Sequence, residues 1–122
     1  MLEVLKAINE QMQALNLQYY DIINNSSKVT YPYLTGELSQ SLFDVETGRN
    51  EADLLIDLWT RNERLEIVKI NEQLKAHFSN LDVVKDGIYI HFDYGSCTPV
   101  ATNDYTLKRL QVIISIVWWK GE

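Results

Sequence analysis

Three groups of side chains in this sequence have the types and spacing to do chemistry, and each has a plainer reading. The tetrad Tyr94-Gly95-Ser96-Cys97 offers a hydroxyl or thiol nucleophile, with His91 upstream as a base. It lacks the glycine-x-serine-x-glycine frame that exposes a serine on a strained strand-to-helix turn, and spacing supplies no acidic partner. A turn in which glycine lets a strand end accounts for the same residues. Asp53, Asp57 and Asp93 offer carboxylates for acid–base work or for a cation. Asp53 and Asp57 share their strand face with Leu55 and Trp59, and that company points to contact with another surface. His77 and His91 fall on different elements, and neither stands in a ligand spacing such as H-x-x-x-H. With Cys97 the sole cysteine, a structural zinc site has almost no ligands. The glycines make neither a G-x-G-x-x-G fingerprint nor a phosphate loop. Overlapping asparagine-x-serine sequons at Asn24 and Asn25 carry meaning only on a secretory route. No catalytic, cofactor-binding or metal-ligating residue is assigned.

The elements that must position these residues follow from periodicity. Leu2, Leu5, Ile8, Met12 and Leu15 recur at three and four, which predicts a helix that Asn16 stops. Leu17 to Ile23 reads as a short extended piece before the polar loop Asn24-Asn25-Ser26-Ser27. Val29 to Leu38 is rich in strand formers, and Pro32 places it at a sheet edge or at a strand's beginning. Ser39 to Glu51 has little periodicity and predicts a long exposed connection, the kind of segment that often carries function. Ala52 to Thr60 alternates, with Leu54, Ile56 and Leu58 on a dry side. Thr60-Arg61-Asn62-Glu63 fits a capping box, Thr60 as N-cap and Glu63 reaching back, and Ile67, Ile70, Leu74 and Phe78 continue a helical stripe to about Ser79-Asn80.

Gly87 opens and Gly95 closes a strand in which Ile88, Ile90, Phe92 and Tyr94 oppose Tyr89, His91 and Asp93. After a loop from Ser96 to Asp104, Tyr105 to Trp119 is the longest strand candidate. It sets Leu110, Val112, Ile114, Ile116 and Trp118 against Gln111, Ile113, Ser115, Val117 and Trp119. Such near-continuous apolarity suits a central strand, or one whose second face meets another subunit. Trp118 and Trp119 then point to opposite faces. With Leu55 and Trp59 also outward, a second apolar patch results, unless the helices divide between both faces. The expected fold class is α+β: a single antiparallel or mixed sheet of about four to five strands with two helices, as one domain over 1–122.

Composition narrows the function. A chain of 122 residues with 46% hydrophobic content and 13 aromatics supports one real core. Its net charge is -6 and its 11 basic residues are scattered, so a direct nucleic-acid partner is not expected. No apolar run approaches the roughly 18 residues of a membrane span, and Met1-Leu2-Glu3-Val4-Leu5-Lys6 lacks a signal peptide's order. A cytosolic, unprocessed protein is expected, and the lone cysteine fits a reducing compartment.

In order and length these signals resemble the small tail-terminator and tail-completion proteins of long-tailed bacteriophages and prophages, the group that includes the lambda tail terminator. The amino-terminal helix leads to Tyr20-Asp21, then a polar gap and Tyr31-Pro32-Tyr33-Leu34 with Gly36-Glu37, similar to that family's opening. Leu54-Leu55-Ile56-Asp57-Leu58-Trp59-Thr60-Arg61 resembles its strand ending in a tryptophan-like residue, a small polar residue and arginine. Where many relatives place glycine in the following turn, this chain has Asn62-Glu63.

The resemblance implies a non-enzymatic structural subunit without cofactors. It implies a homo-oligomeric, commonly six-membered ring that caps the tail tube or joins tail to head connector, made in the bacterial host cytoplasm and carried in the virion. Tail-tube and head-connector proteins would be the partners. A ring needs heterologous, closing interfaces. The expected contact residues are Leu55, Asp57, Trp59, Tyr89, His91 and Trp119, with Asp44, Glu46 and Glu51 matching a basic partner. An acidic immunity or inhibitor-type protein that binds a basic toxin is the alternative from another class.

Overall fold

The computed structural model describes residues 2–24, 28–44 and 46–120, the side chains of Ser41 and Lys120 excepted. The polar cluster expected as a loop at Asn25, Ser26 and Ser27 lies outside the described residues. In chain order the elements are α1 (Leu2–Ala14), β1 (Tyr19–Asp21), β2 (Tyr33–Asp44), β3 (Arg49–Thr60), α2 (Arg64–Phe78), β4 (Leu81–Lys85), β5 (Ile88–Val100) and β6 (Lys108–Lys120). The strands form one sheet in the order β1-β2-β3-β6-β5-β4. Every neighbouring pair is antiparallel except β1 with β2, which makes the sheet mixed.

The amphipathic stripe of α1 buries Val4, Ala7, Ile8 and Met12. The helix stops where Asn16 turns left-handed, at φ 59°. Asn16 N donates to Gln13 O (2.9 Å) and Leu17 N to Met12 O (3.0 Å), which satisfies the last carbonyls of the helix. The stripe of α2 buries Ile67, Ile70, Leu74 and Phe78. These side chains meet Leu54, Ile56 and Leu58 of β3, Ile90 and Phe92 of β5, and Val112, Ile114 and Ile116 of β6 in one core. Each fully buried aliphatic or phenyl group there contributes about 1.5–3 kcal/mol relative to exposure.

Both helices lie on the same side of the sheet. α2 contacts β3, β5 and β6, whereas α1 touches β1 and β4, the two outermost strands. In a flat sheet, five inter-strand spacings would hold those edges roughly 24 Å apart, about twice the width of a helix. The sheet must therefore curl around the helices into a half-barrel. Lys85 Nζ closes on Glu10 Oε1 at 2.5 Å from one edge, and His77 Nε2 meets Gln11 Oε1 at 2.7 Å between the two helices. Among the described residues, no helix lies on the convex face of the sheet.

Several sequence expectations are corrected. Ser39 to Glu51 is not a long connection: β2 runs on to Asp44 and β3 starts at Arg49. The register holds through Phe43↔Asn50 and Asp44↔Arg49, with a bulge between Gln40 and Leu42. This end of the hairpin has solvent on both sides, with Gln40, Leu42, Phe43 and Arg49 all exposed, so it shows no apolar alternation. The turn closes through Gly48 N to Asp44 O (2.8 Å), with Gly48 at φ 70°. β2 begins at Tyr33, after the cis Tyr31–Pro32 bond, so Val29 to Pro32 lies outside the strand.

β5 does not end at Gly95 but passes through a bulge there and continues to Val100. β6 begins at Lys108, which leaves Tyr105 94% exposed in the preceding loop. The sequence does not predict β4, and with it the described residues form a sheet of six strands in place of the expected four to five. The capping box is displaced. The N-cap is Glu63, which makes no side-chain cap bond. Thr60 instead ends β3 fully buried, where Oγ1 donates to Glu66 Oε1 (2.7 Å) and accepts from Asn62 N (3.0 Å).

Candidate functional site

Alternation sends every second side chain of the long strands to the convex, helix-free face. From the strand register, Tyr33, Trp59, Arg109 and Val100 make its first row, and Asp44, Arg49, Trp119, Tyr89 and Val84 its last. Ten residues of β3 separate the two rows, about 33 Å of strand.

Each end holds an aromatic cluster with an arginine. At the first, Tyr33 stacks on Trp59 at 6.3 Å between centroids, and Tyr20 and Tyr31 flank Tyr33 at 6.1 and 5.6 Å. The Arg109 guanidinium lies 4.9 Å above the Trp59 ring, while its Nε donates to Asp57 Oδ1 at 2.8 Å. Trp59 Nε1 donates to Thr35 Oγ1 at 3.1 Å. The indole is thus held by a hydrogen bond at its N–H and by the tyrosine ring and guanidinium of the two neighbouring strands.

At the other end Tyr89 stacks on Trp119 at 5.4 Å, with Arg49 5.9 Å from the same ring. Tyr89 Oη donates to Asp82 Oδ1 at 2.7 Å, and His91 Nδ1 lies 2.7 Å from the same oxygen. The Tyr89 hydroxyl, and after it His91, hold the Asp82 carboxyl below its usual range. Leu55, Ile113 and Val117 lie between the clusters, only partly covered.

The face is also electrically distinct. Glu37, Asp44, Glu51, Asp53, Asp57, Asp82 and Asp93 stand on it against Arg49 and Arg109, a net -5 of the chain's -6. Two such faces pressed together would repel, which favours meeting a different surface.

Most of the contact residues expected from sequence fall here. Asp57 and Trp59 are brought together at the first cluster and Tyr89, His91 and Trp119 at the second, with Glu51 beside Arg49 (3.1 Å), while Leu55 shares the face between them. Asp44 ends the last row of this face at the β2–β3 turn, where Glu46 N donates to Asp44 Oδ1 (3.0 Å). Sequence reasoning did not include Tyr33, Asp82, Arg49 or Arg109. The two-residue repeat that placed Trp59 extends to Arg49 once β3 is known to start there, but Asp82 needed β4. The signal for β4 was present in Asp86-Gly87, a turn pair between alternating runs, and both residues have positive φ (51° and 80°).

The nucleophile residues are kept apart. The bulge puts Ser96 on the convex side and Cys97 on the helix side, opposite Val112. His91 shares Ser96's face but lies five residues back along the strand, on the order of 15 Å away. Burial pushes the Cys97 thiol up, the direction away from a reactive thiolate. Of the three aspartates, Asp57 is held by Arg109, and Asp53 and Asp93 are separated by Ser115. Among the described residues no group of three or more acidic, histidine or cysteine side chains is placed to hold a metal ion, and no helix is long and apolar enough to cross a membrane.

No protein-family model matches this sequence, and comparison with curated proteins finds none similar to it.

Proposed function

We propose that this chain is a structural subunit of a phage or prophage tail that caps the tail tube or joins it to the head connector, and that it acts as a ring. The observation that carries this reading is the bare convex face. A six-stranded sheet spends both helices on one side and leaves Leu55, Trp59, Ile113, Val117 and Trp119 partly open on the other. Aromatic residues ringed by polar groups are the usual make-up of a contact surface. Because the face is acidic, copies would meet head to tail, convex face against another part of the neighbour, and such heterologous contacts close into rings. The order of helix, tyrosine-aspartate strand, proline-tyrosine strand and tryptophan-ended strand supplies the resemblance to tail-completion proteins.

Light scattering over a wide concentration range tests the proposal. The expected result is a discrete species several times the monomer mass, disrupted by Trp59→Ala or Trp119→Ala and able to bind purified tail tubes. A protein that stays monomeric at every concentration and leaves tail tubes unbound overturns it.

The concentration of negative charge on the open face also suits a protein that masks a basic toxin. That second reading calls for a monomer that forms a one-to-one complex, so the same measurement separates the two.

A further inference from the structure

The sheet ends in two stepped edges. β1 covers only Leu34–Gly36 of β2, and β4 covers only Ile88–Phe92 of β5. Among the described residues, no strand lies outside β2 from Glu37 to Asp44, or outside β5 from Asp93 to Val100. The β5 edge is blunted by the Gly95 bulge and by Pro99, which has no N–H to offer. The β2 edge has neither proline nor lysine nor arginine in this stretch, and its bulge comes only after Gln40.

Its free groups can be named. Leu34 N donates to Gln18 O and Ile22 N donates to Gly36 O, each at 2.8 Å, so residues 34 and 36 turn their peptide groups toward β1. The two-residue repeat puts the N–H and C=O of Leu38 and Gln40 on that same side, where β1 has already ended. Beside them Leu42 and Phe43 are 43% and 58% exposed and border, with Gln40 and Asn50, a cavity of about 570 Å³. A row of open peptide groups therefore coincides with a shallow, open depression in which the apolar side chains of Leu42 and Phe43 stand beside two amides.

Charge selects the occupant. A second copy paired antiparallel about Gln40 would bring Glu37 of each copy near Asp44 of the other, like charges across the pair at both ends. We propose that the β2 edge takes up an extended segment of a different protein, apolar at alternate positions and flanked by lysine or arginine, as a strand added beyond β1. The acidic convex face next to this edge favours the same basic flanks. The proposal does not require the ring, because strand addition needs no self-association.

The test is amide hydrogen exchange read by NMR on the intact protein, with two pools of nonapeptides. Their central positions vary among valine, isoleucine, threonine and tyrosine, and their ends are lysine in one pool and glutamate in the other. The lysine pool should slow exchange at Leu38 and Gln40 about tenfold at saturation, a local protection that leaves remote amides unchanged. Gln40→Pro removes an outward N–H without touching the ladder to β3 and should abolish the effect. Glu37→Lys should shift preference toward the glutamate pool.

Unchanged exchange with the lysine pool, equal protection by both pools, or full binding to a folded Gln40→Pro variant overturns the proposal. So does protection at Leu38 and Gln40 that rises with protein concentration alone, since a second copy would then be the occupant. None of these outcomes depends on light scattering or tail-tube binding, so the ring reading stands or falls separately.

Discussion

Gly36 is required by a neighbour and not by its own backbone. An added Cβ would lie 2.0 Å from the Tyr19 hydroxyl oxygen and 2.6 Å from the ring carbon that bears it. The Tyr19 ring thus packs flat over the glycine, and burial, with Asp21's charge adding, pushes its phenol well above the usual range. Gly36→Ala should destabilise by about 1–3 kcal/mol through overpacking, measured by urea unfolding. Combined with Tyr19→Ala, the total should fall short of the sum of the two single changes by about 0.5 kcal/mol or more. A strictly additive pair would show that the ring is not the obstacle.

Asp104 gives a pH test at the same scale. The Arg61 guanidinium, and after it the hydroxyl and backbone N–H of Thr106, lower its carboxyl from the ordinary 3.8 to about 2. The unfolded chain therefore takes up this proton at higher pH than the folded one does. The stability it lends is complete above about pH 5 and drains away as the pH falls from about 4 to 2. Asp104→Asn should flatten that part of the urea-midpoint profile and leave the neutral region parallel to the parent. The same acid slope in both proteins would remove Arg61–Asp104 as a tie between the two loops.

At the scale of elements, Thr60 sits where β3 becomes α2, fully buried, and serves Asn62 and Glu66 at once. Thr60→Val keeps the shape and removes both bonds, so it should cost about 1–2 kcal/mol. Glu63→Gln should cost nothing measurable, because Glu63 makes no side-chain cap bond. Both are read from urea midpoints, and a larger loss from Glu63→Gln would restore the local capping box.

The contrast shows what the sequence could and could not convey. Four-letter capping patterns assume that the helix begins right after its threonine. Here three further residues, Arg61 to Glu63, intervene, and only the packed geometry brings Glu66 within reach. The same limit explains the hairpin. Leu54, Ile56 and Leu58 announced β3 because one side is dry, whereas the end of β2 from Gln40 to Asp44 and the start of β3 at Arg49 form strand by pairing alone, with water on both sides. Strands that bury a face write their period into the chain, and strands that merely extend a ladder do not. The contact face was legible for a related reason. Once Leu110 to Trp118 was assigned inward, Trp119 had to point outward, and Leu55 and Trp59 with it. What sequence could not decide was whether a helix covered them, because that depends on how far the sheet curls.

For the whole molecule the decisive quantity is how charge is distributed over the curled sheet. The helix-bearing side is close to neutral, and the convex face holds most of the excess. Glu37 and Asp53 have no cation within ion-pair distance among the described residues, and Asp53 faces Asp93 across β6. Two strand spacings put that last pair roughly 10 Å apart, which in water is a repulsion of about 0.4 kcal/mol. This repulsion, with the other carboxylates of the face adding to it, opposes the exposed Arg49–Glu51 and Arg61–Asp104 pairs, whose attraction water screens. Because the Debye length shrinks from about 30 Å at 0.01 M salt to about 3 Å at 1 M, added sodium chloride should remove more repulsion than attraction. The unfolding midpoint in urea should therefore rise with salt at neutral pH. Asp53→Asn with Asp93→Asn should raise the low-salt midpoint and lessen the salt dependence. A midpoint that falls as salt is added would mean that the paired charges dominate. The convex face would then be a balanced surface, with no preference for a basic neighbour over a copy of itself.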